Sequence, residues 1–248
     1  MNLLRHFGLP ALLLLFSATA CHKPLYLSER RASHYSIDHT TPDTAMLSML
    51  QPYKAGVDTQ MQVVIGRTDI PLTKAQPEST LGNFMADAQM VAARKFDNKV
   101  VGSVVNYGGI RISYLAPGPI TKRNMYELMP FDNMLTIVEV PGDVLRKFCS
   151  HMAKYRGWPV SGISFTIRNK EAENIMIGDA SLNDHIVYKI AMSDYIAKGG
   201  DQCDFLISLR KRYTTTFLRD AMIDYVMQLD KEGKPLHPVL EKRIQYAE

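Results

Sequence analysis

Apolar positions along the chain recur at helical spacing in some segments and as alternating or continuous runs in others. Three segments predict amphipathic helices: PESTLGNFMADAQMVAARKF, PGDVLRKFCSHMAKY and TTTFLRDAMIDYVMQL. Five further segments predict strands: MQVVIGRTDIPL, KVVGSVV, NMLTIVEV, SGISFTIR and VYKIAMSDYIA. A short helix is also predicted around residues 46–50, ending at Gln51 and Pro52, because proline disfavours the helix before it.

The order of these elements bears on the fold class. Helices and strands are mixed, but they do not alternate in the strict strand–helix series of a doubly wound nucleotide-binding fold. The pattern therefore predicts an α/β or α+β arrangement with a mixed sheet covered by helices. The chain is long enough for one large domain or two small ones.

The first segment, MNLLRHFGLPALLLLFSATAC, has the composition of an export signal. A basic residue, Arg5, precedes an apolar core that is too short to form a permanent membrane span, and small residues lead into Cys21. A cysteine after small residues resembles the cleavage box of bacterial lipoproteins, although Ala18 stands where those proteins usually have leucine. This resemblance implies a signal peptide at 1–20 and lipidation of Cys21.

The segment after Cys21 is polar and has little apolar periodicity. Residues 21–45 are therefore predicted to form a tether, and residues 46–248 the folded domain. Together these features predict a protein held by a lipid anchor in the bacterial cell envelope, facing the periplasm or the outside. The alternative is an ordinary secretory signal with a chance cysteine, which the scarcity of cysteine disfavours.

Charge and cysteine content exclude some function classes. Of the 29 basic residues only Arg5 lies in the signal segment, which leaves 28 basic against 25 acidic residues and no basic excess for a nucleic-acid polymer. Cys149 and Cys203 lack the spacing of a zinc site. They could pair in an exported protein, but two free thiols that pack as small apolar groups are the preferred interpretation.

Three stretches place glycine or proline beside polar or aromatic residues at predicted strand ends: NYGGIR at 106–111, PFDN at 130–133 and YIAKGGD at 195–201. Glycines such as Gly199 and Gly200 let the backbone approach a ligand closely. Arginine offers a planar fork of donors for phosphate, and an aromatic ring offers a face for a base. Each stretch alone is more often a simple turn; together they predict a ligand site.

The order of the motifs resembles the C-terminal, nucleotide-binding domain of the 5'-nucleotidases over about residues 61–206. The segments that carry the resemblance are PESTLGNFMADA, NYGGIR, GPITKRNMYELMPFDN, VPGDVLRKF, SGISF and DYIAKGGD. The resemblance implies that family's fold, a mixed sheet covered by helices in α-β-β-α layers. It also implies a nucleotide or nucleoside as the ligand.

The resemblance implies a phosphate-binding turn. Arg111 matches the arginine of the family's Asn-x-Gly-Gly-Ile-Arg motif, which contacts the substrate phosphate. Asn106, Gly108 and Gly109 match the turn that presents it. On this basis NYGGIR is a turn that serves a phosphate group.

The resemblance also implies residues for the base and the ribose. Phe131 and Tyr195 match the two aromatics that hold the base between them, the second being usually phenylalanine, and Asn133 matches a nearby amide. Asp201 matches the aspartate of the Gly-Gly-Asp turn near the ribose, and the glycines at 199–200 match the rest of that turn.

Some positions depart from the family's pattern. The family often has arginines just before the helix that begins in PESTLGNF, where this chain has Lys74 and Gln76. Lysine keeps the charge but lacks the bidentate fork, so phosphate affinity is expected to be lower unless Arg67 compensates. After the Gly-Gly-Asp turn the family usually has glycine and an aromatic, where this chain has Gln202 and Cys203.

Complete 5'-nucleotidases also carry a metallophosphatase domain with two metal ions, held in motifs such as Asp-x-His and Gly-Asn-His. No histidine of this chain lies in such a motif; the histidines are His6, His22, His34, His39, His151, His185 and His237. There is no Gly-x-Ser-x-Gly elbow or P-loop either. The sequence thus predicts no catalytic residue and no cofactor in this chain, with divalent metals in a separate metallophosphatase chain.

Three functional hypotheses follow. The chain recognises nucleotides for a 5'-nucleotidase whose catalytic half is a separate chain, or it is a stand-alone lipoprotein that binds nucleotides or nucleosides without hydrolysis. In the third, the pocket has lost its function. The presence of Arg111, Phe131 and Asp201 disfavours the third hypothesis, and the first is preferred.

Overall fold

The computed structural model describes residues 43–247, which contain all the elements discussed below. The predicted signal peptide, Cys21 and the predicted tether up to residue 42 lie outside the described residues, as does residue 248. Residues 49–248 form one compact unit, and only 43–48 of the preceding unit are described. Across the described range, every helix is too short or too polar to cross a bilayer.

The described residues form six α-helices and thirteen strands. The helices are α1 (Thr44–Met61), α2 (Thr80–Phe96), α3 (Lys122–Leu128), α4 (Gly142–Lys154), α5 (Asp194–Ala197) and α6 (Leu218–Lys231). The strands are β1 (Val64–Thr68), β2 (Leu72–Thr73), β3 (Val100–Val104), β4 (Tyr114–Leu115), β5 (Gly118–Thr121), β6 (Met134–Pro141), β7 (Val160–Ser161), β8 (Ile163–Arg168), β9 (Glu171–Ile177), β10 (Ala180–Ser181), β11 (Val187–Ser193), β12 (Lys211–Phe217) and β13 (Ile244–Tyr246).

Two mixed sheets organise the fold. The five-stranded sheet has the order β12-β6-β11-β3-β7, in which only β11 and β3 run parallel. The four-stranded sheet has the order β10-β9-β8-β13, in which β8 and β13 run parallel. Strands β1 and β5, and β2 and β4, form separate two-stranded ladders. Mixed sheets flanked by helices confirm the predicted fold class.

Side chains on the two faces of the five-stranded sheet enter two different core clusters. On β11, Ala191 enters the cluster that contains buried residues of α2 and α6. Ile190 and Met192 enter the cluster that contains α4 and the apolar residues of β8 and β9. This alternation follows from the two-residue period of a strand, and it buries β11 on both faces.

Helix α2 forms as its sequence predicts. Ser79 caps it, because the Ser79 hydroxyl accepts a hydrogen bond from the backbone N–H of Gly82 at 3.1 Å. Its apolar face is fully buried at Leu81, Phe84 and Met85. Helix α4 likewise buries Leu145 and Phe148, as predicted.

The predicted end of the first helix at Gln51 and Pro52 is wrong. Helix α1 continues through Pro52 to Met61, although proline removes one intrahelical hydrogen bond. Residues of high helix propensity, such as Met49, Leu50 and Lys54, lie on both sides of the proline and favour continuation. None of the residues of α1 is buried.

The predicted start of the last helix is also wrong. The three threonines at 214–216 belong to β12, and α6 begins only at Leu218. Threonine is β-branched and favours strands, and Thr214 donates a hydrogen bond from its hydroxyl to the Leu135 carbonyl of β6 at 2.8 Å. The strand pairing therefore prevails over the helical pattern of the segment.

Cys149 and Cys203 are both buried free cysteines, which confirms the preferred interpretation. Burial raises the pKa of each thiol to about 12. Both thiols pack in the cluster around α4 and are protonated at neutral pH.

Candidate functional site

The topology of the five-stranded sheet brings the three predicted stretches to one edge. Strands β3 and β11 run parallel, so the residues that follow them, including Asn106 and Tyr195, leave the sheet at the same edge. Strand β6 runs antiparallel to β11 and pairs Leu135 with Ser193, so the loop before β6, which carries Phe131, reaches that edge too. Segments far apart in sequence thus meet around one cavity.

This cavity has a volume of about 360 Å³. Eight of the ten predicted ligand-binding residues line it: Asn106, Gly108, Gly109, Arg111, Phe131, Asn133, Tyr195 and Asp201. The other two, Gly199 and Gly200, form the turn that leads into Asp201. The structure therefore brings the predicted residues together.

The NYGGIR segment is a short 3-10 turn, Tyr107–Gly109, that follows β3. A Cβ atom at Gly109 would lie 2.9 Å from the side-chain oxygen of Asn106, so a larger residue here would displace the Asn106 amide. The backbone N–H of Arg111 donates a 3.0 Å hydrogen bond to the Leu128 carbonyl at the end of α3. These contacts fix the backbone from which the Arg111 side chain extends.

Arg111 and Lys74 place two cations near each other at this turn. The Lys74 ammonium donates a 2.7 Å hydrogen bond to the carbonyl of Ile110 and lies 4.2 Å from the centre of the Tyr107 ring. Partial burial lowers the pKa of Lys74, and the positive charge of Arg111 lowers it further. Two neighbouring cations, one of them partly desolvated, favour a bound anion.

The other departures from the family pattern lie elsewhere. The Gln76 amide donates to the carbonyls of Tyr155 and Gly157, at 2.7 and 2.8 Å. Arg67 contacts the Gly233 carbonyl after α6, at 3.4 Å, and does not line the cavity. Arg67 therefore does not compensate for the missing arginine. Lys74 does not line the cavity either, but it lies close enough to Arg111 for the two positive charges to interact.

Two aromatic side chains line the cavity with open surface. Phe131 is 38% exposed and Tyr195 is 44% exposed, so neither is a core residue. The Arg111 guanidinium carbon lies 5.4 Å from the centre of the Phe131 ring, within cation–π range. A ring that could stack on a base and a cation that could bind a phosphate are therefore neighbours.

Asp201 is held by two hydrogen bonds to its carboxylate. The Asn106 amide donates to Oδ2 at 2.7 Å, and the Tyr195 hydroxyl donates to Oδ1 at 2.9 Å. The second bond raises the pKa of Tyr195, because the carboxylate favours the protonated phenol. The backbone of Asp201 is left-handed, with φ 50° and ψ 39°, a conformation that non-glycine residues rarely adopt.

The glycines before Asp201 are required by the geometry of the turn. Gly199 has a φ of 96°, which side chains of L-residues disfavour. A Cβ atom at Gly200 would lie 2.5 Å from the Tyr195 ring. Both glycines therefore allow the turn to place Asp201 against the Tyr195 hydroxyl.

Sequence reasoning misses the residue that supports the Phe131 loop. Arg219, on α6, is only 7% exposed and donates to Asp132 Oδ1 at 2.9 Å and to the Phe131 carbonyl at 3.3 Å. Its guanidinium carbon lies 4.1 Å from the centre of the Tyr126 ring. An isolated arginine on an amphipathic helix gives no signal of this role, because such residues usually face solvent.

The described residues do not fit a metal centre. Among residues 43–247, no group of three or more His, Cys, Asp or Glu side chains is arranged to hold a metal ion. Asp201 is the one carboxylate among the residues that line the cavity, so the cavity offers a single acidic ligand rather than a set. No step of a reaction is therefore assigned to a metal bound by these residues.

Comparison with known proteins identifies the family. The family model for the C-terminal domain of 5'-nucleotidases matches residues 62–207. This chain belongs to the 5'-nucleotidase C-terminal domain family. The match contains all three segments that line the cavity.

Relatives of this 5'-nucleotidase C-terminal domain are longer proteins. A 5'-nucleotidase of Vibrio parahaemolyticus is 30% identical over 205 residues, which cover 76% of this chain and 35% of the relative. A 5'-nucleotidase of Diplobatis ommata is 27% identical over 237 residues, covering 83% of this chain and 41% of the relative. The chain thus spans well under half the length of these curated relatives.

A solved structure has the same fold. The crystal structure of a 5'-nucleotidase precursor from Thermus thermophilus superposes with a TM-score of 0.71 at 24% sequence identity. The superposition covers 83% of this chain and 44% of the Thermus chain. The similarity supports the fold of the domain.

Proposed function

We propose that this domain recognises nucleotides for a 5'-nucleotidase-type system, which releases phosphate and a nucleoside. In this proposal Arg111, assisted by Lys74, binds the phosphate. Phe131 and Tyr195 hold the base between them, with the Asn133 amide beside it.

Asp201 completes the proposed site by accepting hydrogen bonds from the ribose hydroxyls. Its turn, with Gly199 and Gly200, brings the carboxylate to the cavity edge, where Asn106 orients it. One observation carries the whole proposal: a guanidinium, two exposed aromatic rings and a fixed carboxylate line a single cavity. These are the groups that a phosphate, a base and a ribose require.

The proposal assigns hydrolysis to a metallophosphatase on a separate chain. The observation behind this step is that residues 43–247 offer no arrangement of side chains suited to a metal ion. Two metal ions are the usual means of generating the nucleophile for phosphoester hydrolysis and of stabilising the displaced oxygens. The alternative is a lipoprotein that binds nucleotides or nucleosides and never contributes to hydrolysis.

We expect the purified chain alone not to hydrolyse AMP, whichever of manganese, zinc or magnesium is added. The physical reason is the lack of a suitable ligand set in the described residues. A phosphate-release assay measures this. Turnover that copurifies with the protein and survives substitution of every histidine would contradict the assignment of catalysis to a separate chain.

A pull-down from envelope extract separates the proposal from its alternative. We expect the chain to retain a metallophosphatase lacking this domain, and the pair to release phosphate from AMP. The control is the Arg111→Ala variant, which should retain the partner but support less hydrolysis. AMP binding without any partner-dependent hydrolysis would favour the non-hydrolytic lipoprotein.

Arg219 is expected to act as a positioning residue for Phe131. The Arg219→Met variant keeps the aliphatic stem but loses the contacts to Asp132 and the Phe131 carbonyl. AMP affinity should fall by about two- to tenfold, since ordering a binding side chain costs roughly 0.5–1.5 kcal/mol. Arg210→Met, at an exposed arginine outside the cavity, is the control. A lower melting temperature with unchanged AMP affinity would show a purely structural role.

We further propose that Cys21 is lipidated and holds the protein in the bacterial envelope. The proposal rests on the small residues before Cys21 and the short apolar core before them. Several acyl chains together give a stable anchor, whereas one chain binds membranes weakly. Mass spectrometry of the mature protein should find an acylated Cys21 at the N-terminus. A mature chain that starts at any other residue would contradict the anchor.

A further inference from the structure

A second cavity, of about 570 Å³, adjoins the first at the Gly108 and Asp201 positions, which line both. Its charged lining is mainly basic: Lys154 ends α4, Arg156 follows it, and Lys170 lies in the turn between β8 and β9. Asp201 is the one carboxylate in this lining. A lining of this kind favours an anion next to the first cavity, close to Asp201.

The three basic side chains are free to meet a ligand. Within residues 43–247, neither Lys154, Arg156 nor Lys170 forms an ion pair. The carboxylate of Asp201 offsets only one of these three positive charges. The net charge of the lining is therefore positive.

The wall that carries Lys154 and Arg156 is held in place by polar contacts. The Gln76 amide donates to the carbonyls of Tyr155 and Gly157, on either side of Arg156. The Tyr155 hydroxyl donates to the Gln202 side-chain oxygen at 2.9 Å, which joins the end of α4 to the turn of Asp201. The cavity is thus built from two connected segments rather than from unrelated surface residues.

Three aromatic residues line this cavity, and each packs against a neighbouring group. The Lys74 ammonium lies 4.2 Å from the centre of the Tyr107 ring. Trp158 is only 4% exposed. The Tyr155 ring packs against the His151 ring, with centroids 4.9 Å apart, and against Trp158 at 6.4 Å. The accessible chemistry of the cavity is therefore its positive charge, which favours a phosphate over a stacked base.

We propose that this second cavity binds a phosphate attached to the 2' or 3' oxygen of the ribose, so that the domain accepts nucleoside bisphosphates. The inference rests on the proposed function, because it takes Asp201 as the residue at the ribose hydroxyls. A phosphate bonded to either hydroxyl then extends past Asp201, out of the first cavity and into the second. Lys154 and Arg156 supply its counter-charges, with Lys170 on the opposite segment.

Isothermal titration of the full chain tests this with three ligands at one ionic strength: AMP, adenosine 3',5'-bisphosphate and adenosine 2',5'-bisphosphate. At least one bisphosphate should bind about five- to fiftyfold more tightly than AMP, because each exposed cation adds a modest, screened attraction. The bisphosphate that binds more tightly identifies which ribose oxygen, 2' or 3', carries the phosphate that the second cavity accepts. The Lys154→Ala/Arg156→Ala double variant should lose this gain and keep its AMP affinity within about twofold.

The control is the Arg146→Ala/Lys147→Ala double variant, which also removes two positive charges but from positions on α4 outside the cavity. It should retain the gain. Equal binding of AMP and both bisphosphates by the wild type would overturn the second site. A gain in affinity that survives in Lys154→Ala/Arg156→Ala would overturn it too. Either result would leave the proposed function intact. Absence of binding for all three ligands would overturn the proposed function and this inference with it.

Discussion

Replacing Arg111 by alanine should weaken AMP binding by about ten- to 150-fold and leave adenosine binding within about twofold. A hydrogen bond to a charged group contributes roughly 1.5–3 kcal/mol, and 1.4 kcal/mol corresponds to a factor of about ten. Only AMP carries the phosphate that the guanidinium contacts, so the variant should lose affinity for AMP but not for adenosine. Calorimetric titration of both ligands against wild type and variant measures the difference.

Two further variants sharpen this result. Arg210→Ala removes an exposed arginine outside the cavity and controls for the change in net charge. Arg111→Lys keeps the charge but loses the planar fork, so its AMP affinity should lie between those of wild type and Arg111→Ala. Equal losses for AMP and adenosine in Arg111→Ala would contradict the phosphate role.

Replacing Phe131 by alanine should weaken AMP and adenosine by similar factors, about five- to 150-fold. Stacking of a base on an aromatic side chain contributes roughly 1–3 kcal/mol, and both ligands carry the base. The pattern differs from that of Arg111→Ala, where only the phosphate-bearing ligand is affected. The same calorimetric titration distinguishes the two patterns.

Thermal unfolding shows whether Phe131 acts through the fold instead. Replacing a buried phenylalanine by alanine lowers stability by about 3–5 kcal/mol. Phe131 is 38% exposed, so its replacement should lower stability by less. Tyr246→Ala, at another exposed aromatic, is the control for loss of a surface ring. A large fall in melting temperature with unchanged ligand affinity would assign Phe131 to packing.

The sequence predicts the elements whose local preference and tertiary environment agree. Helix α2 has a capping serine, an apolar face and a buried position, and its prediction is confirmed. Strand β9 reads EAENIMI, with polar residues at most of its first positions, and gives no strand signal; its pairing with β8 supplies the stabilisation. Local sequence does not contain the partner strand, so such elements escape prediction.

Some residues of the site are likewise predictable from the sequence, and others are not. The glycine turns and the aromatic and charged residues beside them are visible in the sequence, and the pairing of β11 with β3 and β6 brings them to one edge. Arg219 escapes prediction, because its contacts depend on how α6 packs beneath the Phe131 loop. The position of Lys74 beside Arg111 likewise depends on the folded chain.

The central claim, that the cavity lined by Arg111, Phe131, Tyr195 and Asp201 binds a nucleotide, is tested most directly by a crystal structure of the chain grown with AMP. The adenine should lie between the Phe131 and Tyr195 rings, with the phosphate at the Arg111 guanidinium and the ribose hydroxyls at the Asp201 carboxylate. A nucleotide bound elsewhere on the domain, or an empty cavity at millimolar AMP with Phe131 and Arg111 free of lattice contacts, would contradict the claim.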